Sequence, residues 1–412
     1  MKNIDQLTSL WVKALTALCL IFAMGSCDEQ PEAFELTDGI PSISYVRVPD
    51  AASSDSLLAG AYLNNSIAII GQNLKSVSEM WFNDQKAVLN TSLMTDEVII
   101  VSIPKAIPEY VTNKIYFINK SKRDTIAYDF NVLVPSPLVS SMKCEYVAEG
   151  DVAVINGNYF LPVEGSDDPV VVFTPNIQAT TVVSHSHSQI QVIVPAGAEE
   201  GPVSVRSRYG TTRSTFYFRD TRGMILDWDN LNANGGWRPG NVSNTDPEGL
   251  SGNYVRFKGA LKGDLSDWSE DAFSFNLWGS SNGRPEGNLF STDPATSVLK
   301  FEINVLDAWK ANAMQLIFSP WNTVNNGFIA DKNIPRALWR PWEASGSYVT
   351  DGWETITIPL KDFIYNHEGV SLGEMPPSNG YGSLSFFVYH GGVLGTDCTP
   401  HILLDNIRVV PQ

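Results

Sequence analysis

Asp151-Val152-Ala153-Val154-Ile155-Asn156-Gly157-Asn158-Tyr159-Phe160 is the stretch whose reading decides the fold. Apolar β-branched residues run up to a glycine beside an asparagine, the pattern of a strand that ends in a tight approach of two backbones. Val170-Val171-Val172-Phe173 follows, then Gln189-Ile190-Gln191-Val192-Ile193-Val194-Pro195, a strand that a terminal proline closes without needing a donor. The same order stands earlier in the chain as Ser66 to Leu74 around Gly71, Glu79 to Phe82, and Glu97 to Pro104. Gly71 and Gly157 lie 86 residues apart, the spacing of a tandem repeat of small β-sandwiches.

The ordered series resembles the IPT/TIG immunoglobulin-like module, once over residues 41–134 and again over 135–219. Val134-Pro135-Ser136-Pro137-Leu138 reads as a short, stiff junction between them. From residue 220 to 412 the character changes. Nine of the 11 Trp fall there, and strands are expected at Gly223 to Trp228, Asn253 to Phe257, Ala272 to Trp278, Val298 to Leu306, Ala313 to Ser319, Glu354 to Leu360, Ser383 to His390 and His401 to Val410. Eight strands between Gly/Asn/Pro loops predict a jelly-roll sandwich, so the fold class is all-β: two immunoglobulin-like sandwiches, then a jelly roll.

Composition agrees. At 412 residues, 43% hydrophobic and 18% charged, with 31 Gly and 24 Pro, the chain suits short strands and many turns. A net charge of -17 argues against a phosphate backbone as partner. Lys2 and Lys13 flank the start of an apolar run from Ala14 to Met24, the length of a signal-peptide core. Met24-Gly25-Ser26-Cys27 resembles the lipobox of bacterial lipoproteins, with Met where Leu is usual. Residues 1–26 are then a signal and Cys27 is the acylated anchor. The mature chain keeps 26 Lys+Arg against 44 Asp+Glu, so the acidity belongs to the exported part. Residues 27–40 begin Cys27-Asp28-Glu29-Gln30-Pro31-Glu32 and read as an acidic tether, resembling the surface-export signal of outer-membrane lipoproteins in glycan-foraging bacteria. Cys144 and Cys398 are expected to be unpaired.

The Trp distribution carries the function. Trp228, Trp278 and Trp353 sit in strand patterns and are expected in the core. Phe318 to Trp353 shows no sustained period and reads as a long Trp-bearing loop. A sugar ring stacks its C–H face on an indole while its hydroxyls seek polar partners at the edge. Trp339 and Trp342 are the expected platform, with Trp321 and Trp309 as further members and Arg336, Arg340, Asn322, Asn325 and Asn326 at the edge. Pro341, which fixes φ between the first two, favours an extended spacing of the pair.

Catalytic signals are thin. Asp227, Asp229, Glu302, Glu343 and Asp351 are carboxylates without an evident acid/base pairing, and there is no phosphate loop or His-Glu-x-x-His. His185-Ser186-His187 reads as a surface pair, and no metal ligand set is expected. Asp405-Asn406 is a candidate holder of a structural Ca²⁺, as in many carbohydrate-binding jelly rolls.

With a lipobox, two IPT/TIG-like modules, Ile225-Leu226-Asp227, Gly252-Asn253-Tyr254, Gly352 to Leu360 and Leu404 to Val409, the chain resembles the cell-surface glycan-binding lipoproteins of polysaccharide-utilisation systems, of the surface glycan-binding protein B type. The resemblance implies a non-catalytic protein, anchored at the outer membrane, that captures a β-glucan or hemicellulose such as xyloglucan beside a TonB-dependent transporter and a companion glycan-binding lipoprotein. A glycoside hydrolase or lyase carrying an immunoglobulin-like stalk is the alternative.

Overall fold

The structure is a computed structural model and describes residues 34–120, 125–231, 242–266, 274–277, 284–322 and 333–412. The signal, Cys27, Trp237, Trp268, Trp278, Asn325 and Asn326 lie outside the described residues. The chain is all-β and divides into two compact units, residues 1–135 and 136–412. The boundary falls inside the Pro-rich junction read from the sequence.

The first unit is a small sandwich. Ser42–Arg47, Ser66–Gln72 and Val98–Ser102 form one sheet, and Gln85–Lys86, Val77–Phe82, Lys114–Asn119 and Thr125–Asp129 form the other. Alternation sends Ile67, Ile69, Met80, Phe82 and Phe117 between them. The second unit opens with a sandwich of the same plan. Leu138–Met142, Val152–Asn158, Gln189–Ile193 and Val182–His185 face Ile177–Gln178, Val170–Phe173, Gly201–Ser207 and Gly210–Phe218 across Ile155, Val171, Phe173 and Phe218.

The glycines that marked the repeat occupy equivalent places. Gly71 pairs with Ile43 and Gly157 with Val139, in each case where the first strand shifts register. A Cβ would sit 2.0 Å from the Ser42 carbonyl oxygen at Gly71 and 1.8 Å from that of Leu138 at Gly157, distances that only a hydrogen can occupy.

Residues 220–412 form a two-sheet sandwich. The larger sheet has the order Val242–Ser243, Tyr254–Lys258, His401–Pro411, Ser297–Asp307, Glu354–Pro359, with Met224–Leu226 also on His401–Pro411. The smaller has the order Ser274–Leu277, Ser383–Val388, Met314–Ser319, Ala337–Trp339. Phe257, Phe301, Ile303 and Leu404 from one meet Phe275, Leu316, Phe318 and Phe386 from the other. Each such side chain removed from water contributes roughly 1.5–3 kcal/mol.

The outer side of the larger sheet is not a solvent face. Lys300, Glu302, Thr355 and Arg408 project from it toward Glu145 of the second immunoglobulin-like sandwich. The Arg408 guanidinium grips Glu302 through two bonds, Nη1 to Oε2 at 2.8 Å and Nη2 to Oε1 at 2.9 Å, and Nη2 also donates to Glu145 Oε2 at 2.7 Å. Lys300 Nζ closes the other Glu145 oxygen. Backbone joins the two sandwiches as well: Thr355 N donates to Lys143 O at 2.8 Å, and Glu145 N donates to Thr355 Oγ1 at 2.7 Å. Two sandwiches that the sequence presents as successive modules therefore share a bonded joint inside one unit.

Candidate functional site

The expected platform is rearranged by strand formation. Ala337–Trp339 leaves the predicted loop and pairs with Met314–Ser319, Trp339 opposite Met314, so its side chain joins Met314 on the core side. Trp339 then meets Phe301 at 5.8 Å, Trp309 at 5.7 Å and Tyr348 at 5.7 Å, all edge-on, and is only partly exposed. Trp342 is 4% exposed and donates Nε1 to Asn312 O at 2.7 Å. Trp309 is 0% exposed and donates to Ala311 O at 2.6 Å. Trp309 and Trp342 are thus core side chains with satisfied indoles, which corrects their assignment as sugar platforms: Trp339 and Trp342 do not form an open pair.

The edge residues divide similarly. Arg336 is fully buried, donating Nη1 to Gln315 Oε1 at 2.8 Å and Nε to Ile334 O at 3.0 Å, so its fork serves the fold rather than a sugar edge. Arg340 is half-buried and bonds Glu343 and the Gly391 carbonyl. Trp321 and Asn322 keep a surface position: Asn322 is exposed, and the half-buried Trp321 donates Nε1 to Arg284 O at 3.2 Å. Trp228 is in the core as expected. Trp353 is not. It is half-exposed, edge-on to Tyr254 at 5.8 Å, and lines a cavity of about 570 Å³ at the joint.

Trp321 stands at the end of a buried polar layer. Opposite the sandwich core, the smaller sheet carries Ser274 and Asn276, Ser383, Ser385 and Phe387, then Gln315, Ile317 and Ser319 in cross-strand rows, and all of them are buried, so this side is a covered layer rather than an open face. Gln315 Nε2 donates to Tyr389 O at 2.7 Å, Ser385 Oγ bonds Asn276 Oδ1, and the Phe387 and Tyr389 rings stack at 5.4 Å. Asn276 Nδ2 and Ser319 Oγ are buried without a hydrogen-bond partner among the described residues. Such atoms cost free energy until something bonds them. Ser319 leads directly into Pro320 and Trp321, and Ser383 Oγ donates to Pro320 O at 3.2 Å. Ser383-Leu384-Ser385-Phe386-Phe387 and Met314-Gln315-Leu316-Ile317-Phe318-Ser319 mix polar and apolar residues on strands that are buried on both sides.

The carboxylates have structural assignments. Asp227 Oδ1 accepts the backbone N–H groups of Asp229, Asn230 and Leu231; Asp229 holds Asn253; Glu343 holds Arg340; Asp351 lies 3.8 Å from Lys143; Glu302 is locked to Arg408. Asp405 accepts from Ser251 Oγ at 3.1 Å and from Asn406 N at 2.7 Å, and burial pushes it up to about 8. Asn406 Nδ2 donates to the same Ser251 hydroxyl. His185 is engaged by the Asp167 carbonyl and lies 3.6 Å from Asp168. Among the described residues, His367, Glu368 and His390 bring ligand-type atoms within 4.8 Å of one another, a grouping hidden in sequence by the distance between the two histidines.

The described residues form a terminal two-sheet sandwich that follows two immunoglobulin-like sandwiches in the chain. Comparison with known proteins gives the family. Residues 218–411 match the sequence model of the surface glycan-binding protein B xyloglucan binding domain. The chain is similar to the crystal structure of a surface glycan-binding protein B from Prevotella bryantii, at 32% identity and a TM-score of 0.76 over 91% of this chain and 100% of that one. It is also 27% identical over 212 residues to an IPT/TIG domain-containing protein of Bacteroides ovatus, a match covering 47% of this chain and 41% of that protein. The chain belongs to the surface glycan-binding protein B family.

Proposed function

We propose that the chain is a non-catalytic, lipid-anchored receptor that captures a neutral β-glucan or hemicellulose of the xyloglucan kind at the outer membrane, for uptake through a TonB-dependent transporter with a companion glycan-binding lipoprotein. The observation that carries this reading is the similarity to a surface glycan-binding protein over 91% of the chain, with residues 218–411 matching the xyloglucan binding domain and holding Trp321 and Asn322 at the surface. The stacking group is Trp321, with the exposed Asn322 beside it for edge hydrogen bonds. Anchoring rests on Cys27 and its lipobox. The structural engagement of Asp227, Asp229, Glu302 and Glu343 supports binding without hydrolysis, since a glycosidase needs two carboxyl groups free to flank the scissile bond.

Affinity electrophoresis of the mature chain against xyloglucan, mixed-linkage glucan, xylan and an acidic pectin tests it, with reducing ends assayed on the same mixtures. Retardation by a neutral glycan with no new reducing ends is expected. Release of reducing ends would replace this reading with the hydrolase.

A further inference from the structure

The cavity at the joint has the makings of a binding site apart from the surface at Trp321. It lies on the larger-sheet side of the terminal sandwich and is lined by Trp353, Tyr146, Lys143, Asp151, Glu248 and Asp351. At about 570 Å³ it falls within the roughly 300–1,000 Å³ typical of small-ligand sites. Its walls are preorganised. Lys143 Nζ donates to Asp351 O at 2.7 Å, its own carbonyl accepts from Thr355 N at 2.8 Å, and the Glu145, Arg408 and Glu302 ion cluster fixes the two sandwiches beside it. A ligand entering it need not order a loop, which removes a main cost of binding.

We propose that this cleft is a second glycan subsite, taking a segment of a neutral oligosaccharide; this rests on the glycan-binding reading above. Trp353 offers a half-exposed ring for the C–H face of a sugar. The lining carries three carboxylates, Asp151, Glu248 and Asp351, against one ammonium, Lys143. Carboxylates accept hydroxyl hydrogen bonds readily, and their excess repels uronic acids. With Trp321 on the smaller-sheet side and Trp353 on the larger, two segments of one polysaccharide can be held by one domain, which multiplies the apparent affinity for polymer over that for a short oligosaccharide.

Isothermal titration of the full mature chain with xyloglucan oligosaccharides, and with oligogalacturonides as the acidic control, tests the subsite. Two equivalents of neutral ligand and no acidic ligand are expected. Trp353→Ala should remove one equivalent while the Trp321-dependent one remains. Asp151→Asn with Glu248→Gln, which spares the ring packing, should weaken that same equivalent by about tenfold. One equivalent in the wild type, lost in Trp321→Ala and untouched in Trp353→Ala, overturns the subsite while leaving the receptor reading in place. Two equivalents insensitive to both joint variants overturn it as well. Absence of any neutral-ligand binding overturns both.

Discussion

Glu145 and Arg408 meet with 2.7 Å between Oε2 and Nη2, joining the second immunoglobulin-like sandwich to the last strand of the terminal one across 263 residues of chain. Both are buried. Burial alone would lower the Arg408 guanidinium, but Glu302 and Glu145 together hold the group above its ordinary value. Removing one partner from such a cluster strands the other's charge. Glu145→Ala should therefore destabilise residues 136–412 by about 3–5 kcal/mol. Urea unfolding followed by Trp fluorescence measures this; a change near zero would mean the joint contributes nothing.

The Trp assignments separate stability from binding. Trp309→Ala and Trp342→Ala open cavities in the core and should each cost about 3–5 kcal/mol. Trp321→Ala should leave the melting temperature within a few degrees of wild type and weaken glycan binding by about tenfold or more. Thermal melts beside affinity gels test the division, and the reverse pattern would restore the loop platform.

Asp405 gives a pH signature. Its folded-state value near 8 exceeds the ordinary 3.8, so between those values the native protein holds a proton that the unfolded chain has released. Its contribution is full at about pH 4 and is lost as pH rises through 8, with a slope of at most roughly 1.4 kcal/mol per unit. Asp405→Asn, which keeps the Ser251 and Asn406 neighbours, should flatten the fall in stability from pH 5 to 8. Parallel slopes for both proteins would contradict it.

Cys144 and Cys398 are both free, as the sequence suggested. Burial raises both thiols, Cys144 the more strongly. Iodoacetamide at pH 7.5 should leave Cys144 unmodified in the folded protein and label it promptly in urea, as read by mass spectrometry. Rapid labelling without denaturant would show that the joint opens.

Much of the fold was legible because strand alternation and the paired glycines are local signals: Gly71 and Gly157 mark the same close approach in both modules, and their spacing already implied the repeat. The site was less legible. Trp339 and Trp342 read as loop residues because Ala337–Trp339 is only three residues long and becomes a strand through pairing with Met314–Ser319, a tertiary event. Trp353 sits in a strand pattern, yet its exposure depends on which sandwich faces it. The Glu145 and Arg408 contact is invisible to any local pattern, because its partners belong to different modules.

The most direct test of the central claim is the dissociation constant of the mature chain for xyloglucan, measured by titration on wild type and on Trp321→Ala. The account predicts saturable binding by wild type, weakened by about tenfold or more in the variant, with unchanged unfolding of both. Saturable binding of equal strength in the two proteins, or none in either across the neutral glycans, would contradict it.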